Sequence, residues 1–315
     1  MTAPEFSVVV PAYDAVRTVG ATIRSVLYQT HGDFELIVVD DGSTDDTPGV
    51  VERTANGDPR VRLVRQTNAG TGAARNTGIG HARGRFISLL DNDDMWMPSY
   101  LSAVRAAFDG APDAGLAYSD VWILDDASQR IHRRTGLEFF TGGVPERLDG
   151  ERFLLELLQQ NFVTASTVTV RREVTERIGG FDAAVRGVDD YDLWLRIAAA
   201  GFGAVRPPGC HAILRDRPGS LSKNQAMMLR SLHDVLQRAA LNSALPSAAR
   251  AVAEARLPAI DAGVRALERH ADPAALRLRV RNVLAQMKMR LRKPFDMRRS
   301  VPPEVAAALR DAGER

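Results

Sequence analysis

Three groups of carboxylates stand out because each directly follows a short apolar run: Asp14 after Phe6–Val10, Asp41 after Phe34–Val39, and Asp91, Asp93 and Asp94 after Phe86–Leu90. Crowded carboxylates repel and raise one another's pKa unless a cation sits among them. All-oxygen ligands suit hard divalent ions such as Mg²⁺ or Mn²⁺. Phosphate oxygens commonly complete such a shell, so a diphosphate-bearing ligand is the natural inference. Asp is also an ordinary turn and cap residue, which suffices for Asp14 or Asp45 alone and leaves Asp41-Gly42-Ser43 readable as a turn. Three carboxylates between Asp91 and Asp94 are more than a turn needs. A fourth acidic group, Asp189, Asp190 and Asp192, opens a helical run, where one Asp could serve as an N-cap worth about 1 kcal/mol, but not all three.

The elements that must position these groups are readable from the apolar pattern. Phe6–Val10, Phe34–Val39, Val61–Val64 and Phe86–Leu90 read as buried strands. Helical spacing appears at Val16, Val19, Ile23, Val26 and Leu27, then over 45–55, after the glycine turn at Gly70, and over 98–109. This alternation predicts an α/β fold, a Rossmann-like doubly wound and mostly parallel sheet. Ligands bind such sheets at the strands' carboxyl ends, so the acidic groups after the strands share one rim. Further on, the text predicts a strand over Leu116–Leu124, a surface loop over 126–147, a helix over Arg152–Gln160 and a strand over Ala165–Val170. A helix over Asp189–Ala200 ends at Gly201, and a strand over Ala204–Leu214 is interrupted at Pro207-Pro208. From about 224 the chain reads as three helices.

Composition narrows the function classes. The 315 residues are 45% hydrophobic and 25% charged, an ordinary globular balance. The single cysteine, Cys210, excludes a disulfide framework, and the six histidines lack metal-ligand spacing. A net charge of +2 argues against a nucleic-acid partner. There is no apolar run long enough to span a membrane, and the MTAPEF start lacks a signal core, so a cytoplasmic protein is expected. Gly70-Thr71-Gly72-Ala73-Ala74-Arg75 resembles the dinucleotide fingerprint, but Arg75 stands at its third glycine and the loop follows the third strand rather than the first.

FSVVVPAYD (6–14), FELIVVDDGSTDDT (34–47), NAGTGAARNTGI (68–79), FISLLDNDDMWMP (86–98) and VDDYDLWLRIAAAG (188–201) together resemble family 2 of the glycosyltransferases, with the GT-A fold, over about residues 6–222. The resemblance implies an inverting transferase that moves a sugar from a nucleotide-diphosphate donor, a UDP-sugar favoured, to a hydroxyl of a glycan or lipid-linked acceptor. The setting it implies is bacterial cell-surface polysaccharide or glycolipid synthesis. It divides the chain into a transferase domain, 1–222, with a nucleotide-sugar half (1–110) and an acceptor half (111–222), followed by a helical extension (223–315). Pro11, Ala12, Tyr13 and Asp14 would border the base and ribose, Asp41 would bond the base, and Arg75 would approach the diphosphate. Asp91-Asn92-Asp93 resembles the family's D-x-D motif, with Asp93 as the direct ligand of Mn²⁺ or Mg²⁺ and Asp91 and Asp94 in support. Asp189-Asp190 resembles the acidic pair that supplies the general base, here Asp190. Trp194 could stack on an acceptor, although its spacing fits a core stripe better. The family often carries His near Arg217. Arg217 cannot ligate a metal but can pair with phosphate. His211 is the nearby histidine, and a structural role is favoured for it.

Residues 277–299 hold nine Arg and Lys against one acid, Asp296. This is either a solvated basic face or a peripheral contact with an anionic membrane at its inner face, where a lipid-linked acceptor would lie. A non-catalytic nucleotide-sugar or glycan-binding module, and a metal-dependent nucleotidyltransferase, are the competing readings.

Overall fold

The computed structural model describes residues 3–127, 130–134, 144–217, 224–269, 303–311 and 313. Strands β1 (Phe6–Ala12), β2 (Phe34–Asp40), β3 (Val61–Arg65) and β4 (Phe86–Leu89) pair in parallel in the order β3-β2-β1-β4. Every side chain of β1, β2 and β4 is buried, which is why those runs lack alternation. Helices α1 (Val19–Leu27), α2 (Thr47–Ala55), α3 (Thr71–His81) and α4 (Tyr100–Gly110) cover the sheet. Gly78 lets α3 lie directly on β1, since a Cβ there would fall 2.3 Å from Val9 Cγ1.

The large sheet continues through β10 (Thr169–Arg171), β6 (Ala114–Ala117), β11 (Gly203–Val205) and β9 (Arg147–Leu148), of which only β6 and β11 pair in parallel. A second sheet runs β5 (Met95–Trp96), β12 (Cys210–Asp216), β7 (Asp120–Asp125) and β8 (Arg130–Arg134). Two expected strands are thus split between sheets. The run 116–124 breaks at Tyr118-Ser119, where Tyr118 N–H bonds Val205 O and the chain leaves the large sheet. The run 204–214 breaks around Pro207-Pro208, which cannot donate to a ladder. The expected loop 126–147 contains β8, hydrogen-bonded antiparallel to β7, and residues 135–143 lie outside the described residues. Ala165–Thr167 is a 3₁₀ turn, with only Thr169–Arg171 extended.

Helices α5 (Gly150–Gln159), α6 (Arg172–Ile178) and α7 (Asp189–Ala199) complete this half. From 224 come α8 (Gln225–Leu241), α9 (Ser247–Arg269) and α10 (Pro303–Asp311), and the basic segment 277–299 lies outside the described residues. Leu229, Val235, Leu236, Ala253 and Ile260 of α8 and α9 share one apolar cluster with Phe153 and Leu157 of α5 and Trp194 of α7. Val305 and Ala308 of α10 pack against Ala21, Met95, Leu124 and Ile213. No helix among the described residues is long and apolar enough to cross a membrane.

At the opposite end from the acidic rim, Glu35 is 3% exposed and ties three strands together. It accepts from Ser7 Oγ (2.7 Å), the Arg83 backbone N–H (2.7 Å) and guanidinium (2.8 Å), and Arg62 Nη2 (2.9 Å). Burial would raise its pKa, but the hydrogen bonds from Ser7 and Arg83 and the charge of Arg62 outweigh it and hold the carboxyl below its usual 4.5. A depressed carboxyl adds stability that is present above pH 4.5 and lost as pH falls through its folded value. Glu35→Gln is therefore expected to cost roughly 1–3 kcal/mol at neutral pH, with the gap to wild type closing in acid; urea unfolding at pH 7 and pH 3.5 checks this.

Candidate functional site

The parallel strands β1, β2 and β4 all end on the same rim, and their exits line a cleft of about 420 Å³. One wall carries Pro11, Ala12, Tyr13, Asp41 and Asp91–Asp94, the other Asn161, Thr164, Gly187, Asp189 and Asp190, with Arg217 and Met228 at the edges. Of the sequence-predicted residues, all but Asp14 and Trp194 line it.

The acidic turn after β4 is built from both sides. Asn92 Nδ2 donates to Pro11 O (2.9 Å), tying it to the first strand's exit. Ser166 in the 3₁₀ turn receives the Asp91 N–H (3.1 Å) on its Oγ and donates that hydroxyl to Asp94 Oδ2. The Arg215 N–H donates to Asp94 Oδ1 (2.9 Å), and Arg215 Nε to Asp93 O (3.2 Å). Both Asp94 oxygens are thus spent on protein. Burial, then the charges of Asp93 and Asp91, push Asp94 well above the usual carboxylate range. Burial and Asp91 also raise Asp93, against the opposing pull of Arg217, whose Nε donates to Asp93 Oδ2 (2.7 Å).

These groups fit a divalent cation completed by its ligand. The turn concentrates three carboxylates, and Asp93 and Asp91 each keep a carboxylate oxygen outside the ion pairs with Arg217 and Arg75. Among the described residues no three His, Cys, Asp or Glu side chains form a complete cage. One or two carboxylates plus substrate phosphates is the usual environment of Mg²⁺. Asp94 braces the turn through both of its oxygens.

The opposite wall starts at α7. Its N-cap is Val188, so neither Asp189 nor Asp190 serves as the cap. Asp189 pairs with Arg75 Nη1 (2.9 Å), and Arg75 Nη2 reaches Asp91 Oδ1 (2.7 Å). Asp190 Oδ1 accepts the Tyr191 N–H (2.7 Å). Burial and the Asp189 charge push its carboxyl up to about 7 despite the proximity of Arg75. A partly open carboxyl that titrates near neutrality, in a cleft, is suited to accept a proton.

Other expected residues sit elsewhere in the network. Asp41 accepts from Gln66 Nε2 (2.7 Å) and from the Ala69 (2.9 Å) and Gly70 (2.8 Å) N–H groups, so it shapes the loop leading into α3. Asp14, in the left-handed region at φ 44°, accepts from the Thr44 N–H (2.7 Å) and lies outside the cleft. Tyr13 is 46% exposed. Trp194 is fully buried, 6.4 Å from Phe181 ring to ring, so it is a core residue and stacks on no acceptor. His211 bonds Ser99 Oγ and Pro208 O away from the cleft, a structural role. Sequence reasoning missed Ser166, Asn161, Thr164 and Met228. Only Met228 had a signal, the amphipathic run beginning at 224.

The sequence profile described as Glycosyl transferase family 2 matches residues 7–179. The succinoglycan biosynthesis protein ExoO of Rhizobium meliloti is 35% identical over 224 residues, 70% of this chain, which spans 63% of that protein's length. The structure of S. aureus TarS 1–349 in complex with UDP-GlcNAc superposes with a TM-score of 0.68 at 18% identity, covering 90% of this chain and 80% of that one. The mannosyltransferase PcManGT from Pyrobaculum calidifontis, in complex with GDP-Man and Mn²⁺, superposes with a TM-score of 0.60 at 22% identity, covering 99% and 87%. These likenesses are to the GT-A fold.

Proposed function

Because the chain belongs to glycosyl transferase family 2, we propose that it moves a sugar, with inversion, from a UDP-sugar to a hydroxyl of a glycan or lipid-linked acceptor in bacterial cell-surface polysaccharide synthesis. The observation that carries this reading is that a base-like carboxyl, Asp190, and a crowded acidic turn, Asp91–Asp94, line one cleft from elements far apart in the chain. An in-line displacement needs that separation, with the base on the acceptor side and the leaving group opposite.

Pro11, Ala12 and Tyr13 border the nucleoside, and Asp41 acts on it through the 66–70 loop it holds. Asp93 would hold Mn²⁺ or Mg²⁺, which supplies Lewis-acid stabilisation of the charge developing on the diphosphate. Arg217, now on Asp93, is within the same cleft and can add a charge-assisted bond to a phosphate oxygen. Asp190 takes the proton from the acceptor hydroxyl. The hydroxyl oxygen bonds the anomeric carbon as its bond to the diphosphate breaks, and nucleoside diphosphate leaves with the bonding pair. Asn161, Thr164 and Met228 form the wall on the acceptor side. The basic segment 277–299 would bring the enzyme to an anionic bilayer that carries a lipid-linked acceptor.

Incubation with UDP-, GDP- and dTDP-sugars plus Mn²⁺ or Mg²⁺, followed by nucleotide analysis, tests the reading. Nucleoside diphosphate released from a UDP-sugar, and abolished by EDTA, is expected. Nucleoside triphosphate formed from the nucleotide sugar when pyrophosphate is added would mark a nucleotidyltransferase, and binding without turnover in the presence of a bacterial glycan and lipid extract would mark a non-catalytic module.

A further inference from the structure

Arg75 is 5% exposed, and its two terminal nitrogens are both committed to carboxylates on opposite walls of the cleft. The guanidinium stands 5.1 Å over the Phe181 ring, which fixes its plane. Phe181 is itself fastened to the same helix, because Asn76 Oδ1 accepts the Phe181 N–H (2.8 Å) and Asn76 Nδ2 donates to Phe181 O (2.9 Å). One turn earlier, a Cβ at Gly72 would lie 3.3 Å from Asp189 Oδ2, so α3 sits close against the start of α7. A group this deeply set, with its fork spent on protein, is poorly placed to receive a diphosphate.

We propose that Arg75 is the positioning residue of the cleft: by bridging Asp91 and Asp189 it holds the acidic turn after β4 at a fixed distance from the first turn of α7, with its positive charge set beside Asp190. A planar fork can span two carboxylates where an ammonium can serve one well. The groups that bear on Asp190 are Asp189, the Tyr191 N–H, Arg75 and, across the cleft, Asp91. Arg75 is the cation among them. The inference deepens the reading of Asp190 as base and rests on it for its catalytic meaning, but the clamp itself can be tested without turnover.

The test is an NMR titration of the full chain carrying ¹³C-carboxyl aspartate, with the Asp190 resonance identified by its loss in Asp190→Asn. In Arg75→Met the Asp190 midpoint is expected to move upward by about one pH unit or more, the usual effect of removing a nearby opposite charge. Arg75→Lys, which keeps the charge, is expected to recover most of that movement, and Arg75→Gln is a second neutral variant that keeps the test open if the Met variant fails to fold. An Asp190 midpoint unchanged in a folded Arg75→Met or Arg75→Gln protein, with the Asp91 and Asp189 resonances also unmoved, would overturn the proposal. Retained sugar transfer in Asp190→Asn would remove the base assignment instead and leave the midpoint comparison as the test of the clamp.

Discussion

Asp190→Asn is expected to lose sugar transfer by roughly 10²–10⁴-fold while donor binding stays near wild type. Asparagine keeps the shape of the side chain and its bond to the Tyr191 N–H but cannot take a proton. Donor affinity is unaffected because the groups on the nucleotide side, Pro11–Tyr13, Asp41 and Asp91–Asp93, are untouched. The wild-type enzyme is expected to gain activity as pH rises through about 7, because Asp190 must be ionised to act. The same group has the opposite effect on stability. Its carboxyl is raised from 3.8 to about 7 in the folded protein, so folding favours the protonated form. Its contribution is full below pH 3.8 and is lost as pH rises through about 7. Asp190→Asn should therefore melt higher than wild type at pH 8 and converge with it near pH 4. Calorimetry at the two values, beside a transfer assay, separates a base held at a cost in stability from a residue whose loss merely disrupts the fold.

Asp93→Ala is expected to remove metal-dependent donor binding and to lower turnover by about 10²-fold or more, since Lewis-acid stabilisation of the leaving diphosphate is worth several kcal/mol. The substitution also releases Arg217 from its ion pair. Arg217 still lines the cleft and can pair with phosphate, so a residual donor affinity that no longer responds to Mn²⁺ or EDTA is the expected signature. Asp94→Ala should behave differently. Both of its oxygens brace the turn against Ser166 and Arg215, so its loss should lower thermal stability along with donor affinity.

The first four strands and the rim they create are legible in the sequence because β1, β2 and β4 are buried on both faces and read as unbroken apolar runs. That pattern, with Asp after each run, is enough to bring Asp41 and Asp91–Asp94 together. The middle of the chain is less legible for a specific reason. Residues 114–121 are buried throughout, so nothing in the hydrophobicity marks Tyr118-Ser119 as the point where the chain changes sheets. β5 has two residues, too few for any period. Trp194 fits the core stripe that its spacing suggests. Asp189 and Asp190 look like caps by type, yet Val188 holds the cap position and leaves both carboxyls for the cleft. The family resemblance places Arg75 near the diphosphate, and the two carboxylates it bridges are distant in sequence, so their convergence appears only in three dimensions. Ser166 and Arg215 act through a hydroxyl and a backbone N–H, which composition and spacing do not single out.

The division of labour between Asp93 and Asp190 is tested most directly by titrating UDP into wild type, Asp93→Ala and Asp190→Asn by calorimetry, each with Mn²⁺, with Mg²⁺ and with EDTA. Wild type and Asp190→Asn should bind alike and only with metal, while Asp93→Ala should bind weakly and with no response to metal. Equal binding by wild type in EDTA, or loss of UDP binding in a folded Asp190→Asn, would contradict the account.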